Sequence, residues 1–280
     1  MANILITGAN GQLGTEISKI LPNAIFTSHQ DLDITNFESV RDFTAKNHIG
    51  TIVNCAAYTA VDAAEDDYFT AKQINSVGPR NLAQTGCKLI HISTDYVFAG
   101  TNKVPYKPDD ETNPHSVYGW TKLMGESAVI KNSAEFAIIR TSWLYSPYGK
   151  NFVKTMRNLG ATRAALDVVD DQVGTPTYAA DLADAIAQII PQMNINNRGI
   201  YHYSNIGECS WYDFAREIMK MSGLKCQVRP TTSSEYKTRA SRPKYSVLDK
   251  TKIQQTFGIK ISDWQSALNR CIAEMDGQQK

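Results

Sequence analysis

A glycine-rich turn close to the N-terminus constrains the fold more than any other feature of the chain. Residues 4–7 form a short apolar run with the length of a buried strand, and Gly8, Gly11 and Gly14 follow it where a helix is predicted to begin. In such a turn one glycine permits the sharp bend, one lets the backbone approach a pyrophosphate, and one allows helix and strand to pack closely. Free N–H groups at the helix N-terminus favour a phosphate there. The turn predicts a dinucleotide site, although an ordinary βα turn has a similar pattern.

The alternation of strands and helices predicts the architecture of the first half of the chain. Runs that are apolar on both faces and are joined by amphipathic helices are typical of a parallel sheet covered on both sides. Because crossover connections are right-handed, the predicted fold class is α/β with a doubly wound parallel (Rossmann) sheet. Its strands are predicted at residues 4–7, 24–27, 51–55, 88–93 and 137–140, and its helices at 15–21, 37–46 and 117–130, with one or two further helices within 64–83.

This alternation weakens after residue 143, which predicts a smaller C-terminal α/β lobe for the substrate. Helices are predicted there at residues 181–190, 211–221 and 264–274, a short strand at 200–203 and an irregular segment at 224–246. We assign the dinucleotide-binding domain to residues 1–146 and 176–200, and the substrate lobe to residues 147–175 and 201–280.

The composition argues against several classes of partner. Lys and Arg (29) nearly balance Asp and Glu (28), and a net charge of +1 gives no reason to expect nucleic acid or a membrane surface. No apolar run reaches the length that crosses a bilayer. The five cysteines are odd in number and widely spaced, without a Cys-x-x-Cys pair. We therefore expect a cytoplasmic location, no disulfides and no cysteine metal site. We also predict no essential metal. A monomer and a homodimer are both compatible with the sequence.

A tyrosine and a lysine four residues apart are the candidates for proton transfer. Tyr118 and Lys122 lie on one face of the predicted helix 117–130. An ammonium beside a phenol lowers the pKa of the phenol, and a tyrosine tuned in this way can exchange a proton at neutral pH. The same spacing also occurs in exposed helix pairs without a chemical role. Thr94 follows the fourth predicted strand at the edge where open α/β sheets bind ligands. If the ligand is a carbonyl compound, the Thr94 hydroxyl can hydrogen-bond the same carbonyl oxygen that Tyr118 protonates.

Together these motifs resemble those of the extended short-chain dehydrogenases/reductases, and more narrowly those of the dTDP-4-dehydrorhamnose reductase family. The resemblance covers nearly the whole chain. The family usually has alanine where Cys55 stands and often a charged residue where Trp120 stands, and neither difference touches a chemical role. The matching segments are residues 8–14, 54–62, 93–98, 118–122, 140–143, 151–156, 171–177 and 242–243.

The resemblance implies roles for individual residues. Tyr118 is expected to donate a proton to the C4 keto oxygen, Lys122 to hold the nicotinamide ribose and lower the pKa of Tyr118, and Thr94 to orient the keto group. The implied reaction is hydride transfer from NADPH or NADH to C4 of a dTDP-4-keto-6-deoxy-L-sugar, which gives dTDP-L-rhamnose. The implied cofactor-binding residues are Gly8, Gly11, Gln12, Leu13, Gly14, Asp33, Ile34, Ala57, Tyr58, Thr59, Tyr118 and Lys122. The implied substrate-binding residues are Thr94, Asp95 and Trp143.

The sequence leaves three assignments open: the choice of cofactor, the role of Asp33 and the role of Arg242. Residues 27–30, after the second strand, offer neither an acid for the ribose of NAD nor an arginine for the 2′-phosphate of NADP, so the cofactor stays open and NADPH is slightly favoured. Asp33 either lies near the adenine or helps to cap the following helix. Arg242, in the basic stretch 237–244, is either a ligand for the substrate diphosphate or a solvated loop residue.

Two alternative functions are also compatible with the sequence. One is another nucleotide-sugar 4-ketoreductase or a nucleotide-sugar epimerase, and the other is a non-catalytic regulatory subunit of the same fold. Non-catalytic relatives often lack the tyrosine or the lysine, so the presence of Thr94, Tyr118 and Lys122 together favours an enzyme.

Overall fold

The strands and helices alternate along the chain as an α/β protein requires. The structure, a computed structural model, describes residues 2–278. Its strands are β1 (Asn3–Thr7), β2 (Ile25–Thr27), β3 (Ile49–Asn54), β4 (Lys88–Thr94), β5 (Phe136–Thr141), β6 (Leu144–Tyr145), β7 (Ala165–Val169), β8 (Val173–Gly174), β9 (Thr177–Tyr178), β10 (Gly199–His202), β11 (Cys209–Ser210) and β12 (Gln227–Thr231). Its helices are α1 (Gln12–Ile20), α2 (Phe37–Lys46), α3 (Val61–Ala64), α4 (Tyr68–Lys72), α5 (Gly78–Ala83), α6 (Val117–Asn132), α7 (Phe152–Thr162), α8 (Ala179–Ile189), α9 (Trp211–Met221), α10 (Thr251–Phe257) and α11 (Trp264–Gly277).

A six-stranded parallel sheet, in the order β10-β5-β4-β3-β1-β2, forms the centre of the molecule. The chain order reverses at β1, with β2 on one side and β3 on the other, which is the switch point of a doubly wound sheet. The neighbouring residues Leu5 and Ile6 of β1 are both fully buried. Leu5 packs with α2, α5 and α6, and Ile6 packs with α1, α8 and α10 on the opposite face. These observations confirm the predicted fold class.

A second hydrophobic core lies beyond the central sheet. It is built from α7, α9 and α11 together with β7, and Phe214 of α9 is fully buried in it. In this lobe β7 pairs in parallel with β12. The prediction of an irregular segment at residues 224–246 is therefore wrong for Gln227–Thr231. This strand is half-exposed and contains a proline, so it lacks the apolar pattern that marks a strand.

The sequence patterns also missed α7 and α10. The buried positions of α7 are Val153, Met156 and Gly160, one of which is a glycine. A Cβ at Gly160 would lie 2.5 Å from Sδ of Met219 on α9, so close helix packing requires a residue that is unfavourable for helix formation. The segment 64–83, for which one or two helices are predicted, contains α4, a π-helical turn at Gln73–Val77 and α5, and it is preceded by the short helix α3.

The division of the chain into a dinucleotide-binding domain and a substrate lobe stays a prediction. Two observations bear on its boundaries. Strand β10 runs to His202, so it crosses the predicted boundary at residue 200. Helix α10 packs through Ile253 and Phe257 on the core that contains α1 and α8, and not on the core of the second lobe. Within residues 2–278 no helix is long and apolar enough to cross a membrane.

Candidate active site

A cavity of about 550 Å³ lies at the carboxyl edge of the central sheet. The segments that follow β1, β3, β4 and β5 form its walls together with α6, as expected for a ligand site at the switch point of a doubly wound sheet. Most of the predicted site residues meet there. Those that line the cavity are Gly8, Gly11, Gln12, Leu13, Gly14, Ala57, Thr59, Thr94, Asp95, Tyr118, Lys122 and Trp143.

The glycine turn forms one end of this cavity. Gly8 adopts a φ of +69°, which favours glycine, and a Cβ at Gly14 would lie 2.5 Å from the carbonyl oxygen of Gly8. Helix α1 follows with Gly11 as its N-cap, and no side chain caps it. The N–H groups of Gln12 and Leu13 have no acceptor within the helix because they lie in its first turn. This cradle, which a side chain would fill, fits the pyrophosphate of a dinucleotide.

Helix α6 carries Tyr118 in its first turn. The helix begins after Ser116, whose Oγ accepts a hydrogen bond from the backbone N–H of Gly119 at 3.1 Å. Tyr118 lines the cavity beside Thr94, and its ring meets the ring of Tyr96 edge-on with centroids 5.5 Å apart. The Thr94 hydroxyl also accepts from the backbone N–H of Tyr96 at 3.2 Å. Tyr118 and Thr94 therefore present two hydroxyl groups to the same part of the cavity.

Burial is the main influence on the pKa values of both Tyr118 and Lys122. It raises the pKa of the Tyr118 phenol above its usual range, and the neighbouring Thr94 side chain offsets this only in part. Burial lowers the pKa of Lys122 to about 8, and the Lys122 ammonium donates to the carbonyl oxygen of Ile92 at 2.6 Å. The predicted lowering of the Tyr118 pKa by Lys122 is thus wrong for this arrangement. A phenol that keeps its proton is suited to donate it.

Asp95 and Trp143 border the same cavity. Burial raises the pKa of Asp95 to about 6. Its Oδ1 accepts from the Thr94 hydroxyl at 3.1 Å, while its buried Oδ2 has no hydrogen-bond partner among residues 2–278. Trp143 adopts a φ of +48°, which is strained for a bulky residue, and its ring stacks on Trp211 with centroids 3.6 Å apart. The free carboxylate oxygen can accept from a hydroxyl group of a ligand.

A second cavity, of about 540 Å³, adjoins the first, and Tyr96 borders both. Phe152, Trp211 and Arg242 line it. Arg242 donates from Nη1 to the Tyr96 hydroxyl at 2.9 Å and from Nη2 to Asp62 Oδ2 at 2.5 Å. Arg242 is therefore not a solvated loop residue, and its assignment to the substrate diphosphate stays a prediction.

Three predicted cofactor residues do not line the first cavity: Asp33, Ile34 and Tyr58. Asp33 Oδ1 accepts from the backbone N–H and the hydroxyl of Thr35, at 2.9 and 2.8 Å, and the N-cap of α2 is Asn36. Ile34 is buried in the core beneath the sheet. The assignment of these three residues to the cofactor stays a prediction.

Acidic residues on and beside α3 connect the cavity walls, and the sequence reasoning did not assign them this role. Asp62 accepts from the backbone N–H of Ala240 at 3.0 Å as well as from Arg242, so it holds segment 239–242. Glu65 Oε1 accepts from the backbone N–H of Val117, at the start of α6, at 2.9 Å. The contact between Asp62 and Arg242 joins positions 180 apart and leaves no local signal in the sequence.

A buried ion pair lies behind the cavity. Arg140 donates from Nε and Nη2 to the Glu126 carboxylate at 2.9 and 2.7 Å, and Ser93 Oγ donates to Glu126 Oε1 at 2.5 Å. Both charged side chains are at most 2% exposed. Because Ser93 precedes Thr94 and Glu126 lies one turn after Lys122, the pair connects the ends of β4, α6 and β5.

Metal-ligating side chains are dispersed over the molecule. All five cysteines are free thiols. In the part of the chain that the structure describes, no group of three or more His, Cys, Asp or Glu side chains could hold a metal ion. The absence of an essential metal stays a prediction.

A doubly wound sheet with a glycine turn and with threonine, tyrosine and lysine around one cavity defines the extended short-chain dehydrogenases/reductases. Within that class, the chain belongs to the family described as the RmlD substrate binding domain, whose model matches residues 1–276.

Proteins similar to this chain match it over nearly its full length. The dTDP-4-dehydrorhamnose reductase of Aggregatibacter actinomycetemcomitans is 41% identical, with 98% of this chain and 99% of that protein covered. A crystal structure of a dTDP-4-dehydrorhamnose reductase from Clostridium acetobutylicum is 46% identical, with a TM-score of 0.94 and coverage of 98% and 99%. The structure of the Bacillus anthracis dTDP-4-dehydrorhamnose reductase in complex with NADP is 39% identical, with a TM-score of 0.92 and coverage of 98% and 100%.

Proposed function

We propose that the protein reduces the C4 keto group of dTDP-4-dehydro-L-rhamnose to give dTDP-L-rhamnose, with NADPH as the hydride donor and NADH as the second cofactor to test. The observation that carries this proposal is the convergence of Thr94, Tyr118 and Lys122 on one cavity that ends at the glycine turn. The names of the similar proteins support the substrate, and the NADP complex of the Bacillus anthracis protein supports the cofactor.

The chemistry follows from the two hydroxyl groups in the cavity. The reduced nicotinamide, when bound, supplies a hydride to the carbonyl carbon. As the new C–H bond forms, negative charge develops on the keto oxygen, which Thr94 and Tyr118 stabilise by hydrogen bonds. Tyr118 gives its proton to this oxygen as a general acid. The phenolate that remains regains its proton from water, and the Lys122 ammonium is proposed to hold the nicotinamide ribose by a hydrogen bond.

The substrate is proposed to extend from the first cavity into the second. Asp95 Oδ2, buried and unpaired within residues 2–278, is available to a sugar hydroxyl. In the second cavity Phe152 and Trp211 offer aromatic surfaces for a base, and Arg242 offers a guanidinium for the diphosphate. This arrangement supports a nucleoside-diphosphate sugar rather than a free sugar.

The test is a coupled spectrophotometric assay. The purified protein is mixed with NADPH or NADH and with dTDP-4-dehydro-L-rhamnose generated in place, and the loss of nicotinamide absorbance is followed. Substrate-dependent oxidation with dTDP-L-rhamnose as the product supports the proposal and ranks the cofactors. Tight cofactor binding without oxidation would overturn it in favour of another 4-keto sugar or a non-catalytic subunit. The cytoplasmic location and the monomeric or dimeric state stay predictions, and sedimentation velocity tests the latter.

A further inference from the structure

A short loop from the second half of the chain covers the glycine turn. This loop, residues 146–151, joins β6 to α7. Gly149 turns there with a φ of +64°, and a Cβ on it would lie 3.2 Å from Cγ of Gln12. Gly149 and Lys150 line the first cavity together with Gly11, Gln12 and Leu13. The loop therefore lies against the N-terminus of α1.

A pair of side-chain amides fixes the 146–151 loop in this position. Asn151 Nδ2 donates to Gln12 Oε1 at 2.9 Å and to the carbonyl oxygen of Ser146 at 2.8 Å. Asn151 Oδ1 accepts from the backbone N–H of Lys154 at 3.1 Å and so caps α7. The Tyr148 ring lies under the Lys19 ammonium, 4.6 Å from it, which attaches the loop to α1 a second time.

The loop also supplies the charge that the glycine turn lacks. Residues 8–14 contain no cationic side chain. Of the described residues that line the cavity, two are cationic, Lys122 and Lys150. Lys122 is buried and donates to the carbonyl oxygen of Ile92, away from the turn. Lys150 is exposed and forms no ion pair with any carboxylate of residues 2–278. Its ammonium is free for an anion at the turn.

We propose that Lys150 binds the pyrophosphate of the nicotinamide dinucleotide, and that the Gln12–Asn151 amide pair positions it there by holding the 146–151 loop over the glycine turn. This inference rests on the proposed function, since it needs a dinucleotide in the cavity. The backbone N–H groups of α1 bind the pyrophosphate from one side, and the ammonium binds it from the other.

The experiment measures cofactor affinity by nicotinamide fluorescence in wild type and in Lys150→Met. We expect the dissociation constant to rise about tenfold for NADPH and NADH alike, as for one lost charge-assisted hydrogen bond. The salt dependence of binding should also weaken. The matched control is Lys131→Met, which removes an exposed lysine from the last turn of α6 and should leave the dissociation constant unchanged.

A second variant isolates the amide pair. Asn151→Ser keeps an oxygen that caps α7 but removes the N–H donor to Gln12. We expect Asn151→Ser to lower cofactor affinity about as much as Lys150→Met does. The variant that carries both changes should lose little more, because both changes act on the contact between Lys150 and the pyrophosphate. An unchanged affinity in Asn151→Ser would overturn the role of the amide pair.

Other outcomes separate this inference from the proposed function. A loss confined to NADPH would overturn the assignment to the pyrophosphate and move Lys150 to the 2′-phosphate. Equal affinities of wild type and Lys150→Met would overturn the role of Lys150 and leave the proposed reaction intact. A wild-type protein that binds neither NADPH nor NADH would overturn the proposed function, and this inference with it.

Discussion

At the scale of single residues, the site depends on how buried its titratable groups are. Tyr118 is packed against Tyr96 and lies beside Thr94, and burial raises the pKa of its phenol. Lys122, one turn further along α6, is 2% exposed, and burial lowers its pKa. As pH rises, the Lys122 ammonium therefore loses its proton before the Tyr118 phenol does.

Replacement of Tyr118 by phenylalanine tests the proton donor. The ring packing against Tyr96 is kept, but the hydroxyl group that protonates the keto oxygen is lost. We expect kcat to fall by a factor of roughly 10² to 10⁴ while the dissociation constant of NADPH changes little. The control is Tyr96→Phe, which removes a neighbouring hydroxyl and should retain most of kcat. Full activity of Tyr118→Phe in single-turnover reduction would contradict the assignment.

The pH dependence of activity reports Lys122. Its pKa of about 8 in the folded protein predicts that kcat/KM falls above about pH 8, as the ammonium loses its charge. Because this pKa lies below the unfolded value of 10.5, the unfolded chain binds more protons between the two values. This group therefore makes the protein more stable as pH rises through that window. Above pH 8, kcat/KM is therefore expected to fall with pH while the contribution of Lys122 to stability rises.

The measurement is a pH profile of kcat/KM beside a pH profile of the melting temperature. If activity and melting temperature fell together above pH 8, unfolding would explain the loss and Lys122 would not. A fall in activity at constant or rising melting temperature supports the titration of Lys122.

At the scale of elements, the site could be predicted where two simple rules apply. The Tyr118–Lys122 spacing follows from the period of a helix, and the place of Thr94 follows from the rule that ligands bind at the carboxyl edge of parallel strands. The role of α3 follows from neither rule. Asp62 meets Arg242 across 180 positions of sequence, and only the fold brings the two side chains together.

The contacts of α3 predict a specific effect on substrate binding. Asp62→Asn weakens the ion pair that holds Arg242 beside the second cavity, where both side chains are only partly exposed. We expect KM for the nucleotide sugar to rise roughly fivefold while kcat and the dissociation constant of NADPH stay near wild type. The matched control is Asp66→Asn, which weakens the more exposed pair with Arg239. Steady-state kinetics with both substrates varied distinguishes the two variants, and an unchanged KM in Asp62→Asn would contradict the role of this residue.

At the scale of the whole molecule, the sequence predicted the central sheet better than the second lobe. The strands of the sheet are apolar on both faces because helices cover both, and this leaves a strong local pattern. The second lobe contains the half-exposed strand β12 and the helix α7 with its buried Gly160. The residues of both elements suit contacts with segments distant in the sequence. Where packing against a distant element determines which residue a position needs, the local sequence pattern of a strand or helix is weak.

The buried pair Glu126–Arg140 connects that well-predicted sheet to the site, and its loss tests how far the fold depends on it. Glu126→Gln leaves the Arg140 guanidinium buried without a counter-charge, which costs roughly 3–5 kcal/mol of unfolding free energy. Glu38→Gln, which weakens an exposed pair with Arg41, should leave the free energy of unfolding close to that of the wild type. Urea denaturation of both variants measures the difference. Equal stabilities would mean that water or a rearranged side chain compensates Arg140. In that case the sheet hydrogen bonds between β4 and β5 and the apolar contacts with α6 would be sufficient to hold the three elements together.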